Sequence, residues 1–232
     1  MPVPAITPAL VEIAGFAGIG RKVLAVNGVD RQSHWENVYR TKSDREVSWF
    51  EESPALSLDL IRATGVDHKA ALIDIGGGAS RLVDVLLDDG FEDISVLDLS
   101  EAALATSQAR LGVRGATVDW LLADVTSWQP PRAYDVWHDR AVFHFLTSQE
   151  DRAAYAACAS KGVRAGGHLI IGTFALDGPE RCSGLPVMRH DAASIGAVLG
   201  SAFTQVESRR HDHRTPAGST QRFQFSRFTR NK

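Results

Sequence analysis

Leu72-Ile73-Asp74-Ile75-Gly76-Gly77-Gly78-Ala79-Ser80 decides how the rest of this 232-residue chain is read. A mostly apolar run has the look of a buried strand, three glycines break it, and Leu82, Val83 and Leu86 then recur at helical spacing. Strand, glycine turn and helix in that order build a ligand crevice at the carboxyl ends of an open α/β sheet. Glycines without Cβ atoms permit positive φ and let a ligand lie against the backbone. The helix, expected from near Ser80, aims unpaired N–H groups at whatever occupies the turn.

The spacing discriminates between ligands. A dinucleotide fingerprint needs a small residue three positions after its second glycine. Counted from Gly78 that position is Arg81, which argues against a nicotinamide dehydrogenase. The pattern acid-x-Gly-x-Gly-x-Ser over residues 74–80 resembles the first motif of class I S-adenosylmethionine (AdoMet) methyltransferases. Two further landmarks fall in register. Ile94–Asp98 reads as the second strand, and Asp98 ends it 24 residues beyond Asp74, where an acid can accept hydrogen bonds from both ribose hydroxyls. Val118–Leu122 reads as the third strand, followed by Ala123-Asp124-Val125. The resemblance implies that Asp124 meets an adenine amino group and the next backbone N–H a ring nitrogen. It implies S-adenosyl-L-methionine as cofactor, held by Asp74, Gly76, Gly77, Gly78, Asp98, Leu99, Asp124, Val125 and His138.

Ahead of this motif, residues 33–50 gather rings. Trp35 and Tyr39 are four apart and share a helix face, and Trp49 follows. They form either a face docked on the sheet or a lid stacking on the cofactor's sulfonium or adenine. The runs His34–Tyr39 and Val47–Phe50 resemble the amino-terminal lid of some small-molecule and lysine methyltransferases.

The fourth strand, expected over Tyr134–His138, leads into Asp139, Arg140 and His144. Each alone is explained by a structural hydrogen bond. Gathered at one strand tip, His138, Asp139, Arg140 and His144 become the catalytic candidates. Arg140 could hold a carboxylate by a bidentate fork. Ser148 with Asp151 signals a capped helix, His168–Phe174 a fifth strand, and residues 177–186 a proline- and glycine-rich loop containing Arg181 and Cys182. Asp191 caps a last helix, and Phe203–Ser208 and Arg222–Phe228 alternate like half-buried antiparallel strands. His211 and His213 share one strand face, but two histidines without a third ligand assign no metal.

Strands alternating with helices imply a parallel sheet. The expected fold is α/β: a doubly wound, mostly parallel seven-stranded sheet with an antiparallel C-terminal hairpin and helices on both faces. Residues 1–31 read as a flexible extension, and 32–232 as one domain whose lid spans 32–65. A net charge of -3 offers no basic field for nucleic acid, and no apolar run approaches the roughly 20 residues that span a bilayer. Cys158 and Cys182 lack zinc or redox spacing, consistent with a reducing cytoplasm. The function expected is AdoMet-dependent methyl transfer to a small molecule, such as a thiol or other soft nucleophile. The alternatives are a protein-lysine methyltransferase and a non-catalytic AdoMet-binding protein. Acceptor identity and oligomeric state are not legible.

Overall fold

A computed structural model describes residues 25–26 and 29–232. The expectation of a flexible extension over residues 1–31 therefore lies largely outside the described residues. Its described end is ordered by pairing, Ala25–Val26 running antiparallel to Val29–Asp30.

The main sheet has seven strands: β1 Leu72–Ile75, β2 Ile94–Asp98, β3 Val118–Leu122, β4 Tyr134–Arg140, β5 Val163–Phe174, β6 Phe203–Arg214 and β7 Thr220–Arg230. Their spatial order is β6-β7-β5-β4-β1-β2-β3. Strands β1 to β5 pair in parallel, and β7 joins β5 and β6 antiparallel. The chain steps outward from β1 to β3, then returns to the other side of β1 as β4. This reversal opens a crevice at the carboxyl ends of β1 and β4, where ligands of such sheets bind.

Helices cover both faces because the buried strands alternate. Leu72, Val96, Val136 and Ile170 face one core, packed with residues of α2 (Ala55–Arg62), α3 (Leu82–Asp89) and α4 (Glu101–Leu111). Ile73, Leu97, Trp137 and Ile171 face the other, packed with α5 (Gln149–Gly162) and α6 (Ala192–Leu199). Ser100, Ser148 and Asp191 cap α4, α5 and α6 through their side-chain oxygens, the last two as the sequence predicts. Helix α1, Arg31–Thr41, lies outside this sandwich and packs against α4. Glu36 fixes it there, accepting from Ser100 Oγ at 2.8 Å and from Ala102 N at 3.2 Å. No helix among the described residues is long and apolar enough to cross a membrane.

Candidate active site

Two adjoining clefts open at the tips of β1, β2 and β4. The first is lined by Gly76, Asp98, Leu99, Asp124, Val125 and Arg140, with Trp35, Tyr39, Trp49, Phe145 and Cys182 among its apolar walls. The space between its walls, part of it open to solvent, measures about 770 Å³. The second is lined by Asp74, Gly76, Gly77, Ser80, Arg81, His138 and Arg140. Tyr39, Trp49, Gly76 and Arg140 belong to both.

The glycine turn separates them by close packing. Gly76 adopts φ of +68°, and a Cβ built on it would lie 2.1 Å from Val142 Cγ2. A Cβ on Gly77 would meet the Asp74 carboxylate at 2.5 Å, and one on Gly78 the Asp98 carboxylate at 2.5 Å. Gly78 lines neither cleft. Its work is to let the turn sit on Asp98 and to offer its carbonyl to Ser107 Oγ at 2.6 Å. A Gly76→Ala variant is expected to lose about 2 kcal/mol of stability through left-handed strain and crowding. Thermal unfolding measures that loss, and titration with S-adenosylhomocysteine should show several-fold weaker binding.

Asp98 is buried at the end of β2 and accepts from Ser100 N at 2.8 Å. Burial, the largest influence, outweighs the backbone hydrogen bonds from Ser100 and Leu99 and pushes its carboxyl up to about 7; the nearby Asp74 charge pushes the same way. An acid so poorly solvated gains from two polar hydrogens brought by a ligand. Asp124 is more occupied. Its Oδ1 accepts from Thr126 N at 2.9 Å and Thr126 Oγ1 at 2.7 Å, and its Oδ2 from Arg31 at 3.3 Å. A carboxylate has about four acceptor positions, so one is left unused on a residue that lines the first cleft. The glycine cradle, Asp98 and this remaining position fit a nucleoside carrying a short charged tail, the shape of the expected cofactor.

Arg31 escaped the sequence reading. It is 4% exposed, and its guanidinium spans Asp124 and Asp151, each at 3.3 Å. Its partners lie 93 and 120 residues downstream, so no local pattern announces it.

The four catalytic candidates separate. His138 is aligned with Asp74 across the β1–β4 pair, and both its ring nitrogens are engaged, with Asp74 Oδ1 at 2.7 Å and Ser57 Oγ at 2.9 Å. Asp139 points to the other face. It accepts from Val142 N at 2.9 Å and Phe143 N at 3.4 Å, holding the turn through Ala141, whose φ is +74°. His144 is fully buried between Phe145 and Phe174, with Nδ1 accepting from Phe174 N at 3.3 Å. Burial, then the His190 and Arg140 charges, drop its pKa to about 3. Neither Asp139 nor His144 lines either cleft, because residues alternate faces along β4 and the chain folds under the sheet at Phe143–Phe145. Arg140 alone of the four reaches both clefts; it donates to Trp49 O at 2.9 Å and pairs with Glu51 at 3.0 Å.

The rings form one contiguous wall. Trp35 packs on Trp49, Phe145 and Tyr39 at centroid distances of 5.6, 5.0 and 6.4 Å. Cys182 joins it from a short hairpin, Arg181–Cys182 paired with Leu185–Pro186. Burial pushes its thiol up to about 11, so it stays protonated at neutral pH.

Comparison with known proteins agrees with this geometry. A family model described as "Methyltransferase domain" matches residues 72–167, the stretch from β1 into β5. A curated relative, the eEF1A lysine and N-terminal methyltransferase of Mus musculus, is 25% identical over 119 residues, 51% of this chain and 17% of that protein. The chain therefore spans a minor part of that relative. Among solved structures, the Burkholderia thailandensis 1,6-didemethyltoxoflavin-N1-methyltransferase, with 1,6-didemethyltoxoflavin and S-adenosylhomocysteine bound, superposes with a TM-score of 0.68 at 22% identity, covering 87% of each chain. The N-methyltransferase NodS from Bradyrhizobium japonicum, bound to S-adenosylhomocysteine, gives 0.65 at 16% identity, covering 85% of this chain and 98% of its own. At these identities the structures speak for the fold.

Proposed function

We propose that this chain is a class I, AdoMet-dependent methyltransferase, a reading supported by the methyltransferase-domain match over residues 72–167 and by the fold, and that its acceptor is a small soft nucleophile arriving already ionised, such as a thiolate. The observation that carries this reading is the composition of the first cleft beyond the nucleoside residues. It is walled by Trp35, Tyr39, Trp49, Phe145 and Cys182, with Arg140 as the cation at its edge. That enclosure suits a small apolar body bearing one negative charge.

Among the described residues lining the first cleft, none is free to take a proton beyond the two carboxylates assigned to the nucleoside, Asp98 and Asp124. His138 is committed to Asp74 and Ser57, Asp139 and His144 lie outside the clefts, and burial raises both the Tyr39 phenol and the Cys182 thiol. An acceptor needing a general base is poorly served. The cofactor supplies an electrophilic methyl group on sulfur. In this reading Asp98 holds the ribose hydroxyls, Asp124 and the Val125 N–H the adenine, and Asp74, Gly77 and His138 flank the methionine end in the second cleft. Arg140 orients the acceptor's charge, and the rings exclude water, so the chain contributes mainly alignment. The 1,6-didemethyltoxoflavin ligand of the Burkholderia thailandensis enzyme supports a small-molecule acceptor by analogy.

A lysine acceptor is the second reading, favoured by the 25% identity to the eEF1A lysine and N-terminal methyltransferase. Incubation of cell lysate with radiolabelled AdoMet separates the two. Label confined to the low-mass fraction is expected, with a rate that rises with pH through the acceptor's own pKa. Label on a protein band overturns the small-acceptor reading.

A further inference from the structure

The third ligand missing beside His211 and His213 is supplied by the lid. Glu51, just after Trp49, lies against the far end of β6. Its Oε1 is 3.1 Å from His213 Nδ1 and 3.4 Å from His211 Nε2, and the three donor atoms all fall within 4.8 Å of one another. We propose that Glu51, His211 and His213 bind one divalent transition-metal ion of the zinc class, clasping the lid's edge to the C-terminal hairpin.

The hydrogen bonding of His213 carries the argument. Its Nε2 lies 2.8 Å from the Ser48 carbonyl, which can only accept, so the ring proton sits on Nε2. In the neutral ring, Nδ1 is then a bare lone pair facing a carboxylate oxygen at 3.1 Å, in a side chain 3% exposed. Two lone pairs at that separation are placed to share one metal ion. A histidine whose second nitrogen donates to a backbone carbonyl is the usual support for a metal-bound imidazole. The two distances from Glu51 Oε1 are close to what zinc requires, since bonds of about 2.0–2.1 Å in a tetrahedron separate ligand atoms by about 3.3–3.4 Å. Two imidazoles and one carboxylate form a recognised zinc donor set with a fourth position left for water, and nitrogen donors disfavour magnesium or calcium. His211, about one-third exposed, leaves a route for entry. Arg140 shares Glu51 Oε1 at 3.0 Å, and a carboxylate has acceptor positions for both.

Such an ion would fix Ser48–Glu51, and with it the Trp49 wall, to strands that otherwise hold this segment by the Ser48 contacts of His213 and Gln221. The site stands on its own geometry, independent of the acceptor assigned above.

The test uses untagged full-length protein stripped by a chelator, then titrated with Zn²⁺ alone by calorimetry. One ion per chain with a low-micromolar or tighter Kd is expected. Glu51→Gln and His211→Ala, a shape-preserving change and a one-third-exposed strand position, should each weaken binding at least tenfold. Zinc should raise the unfolding temperature of the unaltered protein and not of the variants. Absence of binding, or a loss smaller than tenfold in both variants, overturns the site.

Discussion

Asp98→Ala is expected to weaken S-adenosylhomocysteine binding at least 100-fold while the protein stays folded. Two charge-assisted hydrogen bonds from ribose are worth about 1.5–3 kcal/mol each, so losing both accounts for that factor. Stability behaves differently, because the buried carboxyl is itself a burden. Its pKa is raised by burial to about 7, so folding favours the protonated acid. The group's contribution to stability is fully present below the ordinary carboxylate range and is lost as pH rises through about 7. Ligand affinity carries the opposite sign, since the ionised form is the better acceptor, and should rise through the same pH. Calorimetry and thermal unfolding between pH 5 and 8 check both slopes. In Asp98→Ala both should flatten.

Arg31→Ala is expected to cost about 3 kcal/mol, the lower end for a broken buried ion pair, because Asp124 keeps some solvent contact. The Arg31 and Asp151 side chains are 5% and 9% exposed, so removing the guanidinium strands a buried carboxylate. For a domain of this size that loss corresponds to a fall of roughly 6–12 °C in Tm. Cofactor affinity should drop as well, since Asp124, which lines the first cleft, loses a contact that holds its carboxylate in place. Arg31→Lys retains the charge but not the fork to two acids, so it should recover part of the stability. Equal Tm values for Arg31→Ala and the unaltered protein would show the bridge to be idle.

These residues also mark what was legible in advance. Asp74, the glycines, Asp98 and Asp124 were readable because each is tied to a local pattern, an apolar strand ending in a turn. The sheet and its antiparallel hairpin followed from the same alternation. Trp35, Tyr39 and Trp49 were readable as a cluster because helical spacing put two on one face, and all three line the first cleft. Long-range pairings were not. Arg31 with Asp124, Glu36 with Ser100 and Glu51 with His213 each join segments whose sequences carry no sign of the other. His138, Asp139 and His144 looked alike as ionisable groups at one strand tip. Alternation along β4 sends His138 toward Asp74 and Asp139 into the turn, and the Phe143–Phe145 turn buries His144. Gly78 was read as ligand-facing, whereas its missing Cβ makes room for Asp98.

A crystal structure of the protein grown with S-adenosylhomocysteine tests the central claim most directly. The account predicts the ribose hydroxyls on the Asp98 carboxylate, the adenine between Leu99 and Val125, and the sulfur turned toward Arg140 and Trp49. A nucleoside bound elsewhere, or a first cleft holding solvent at saturating ligand, would contradict it.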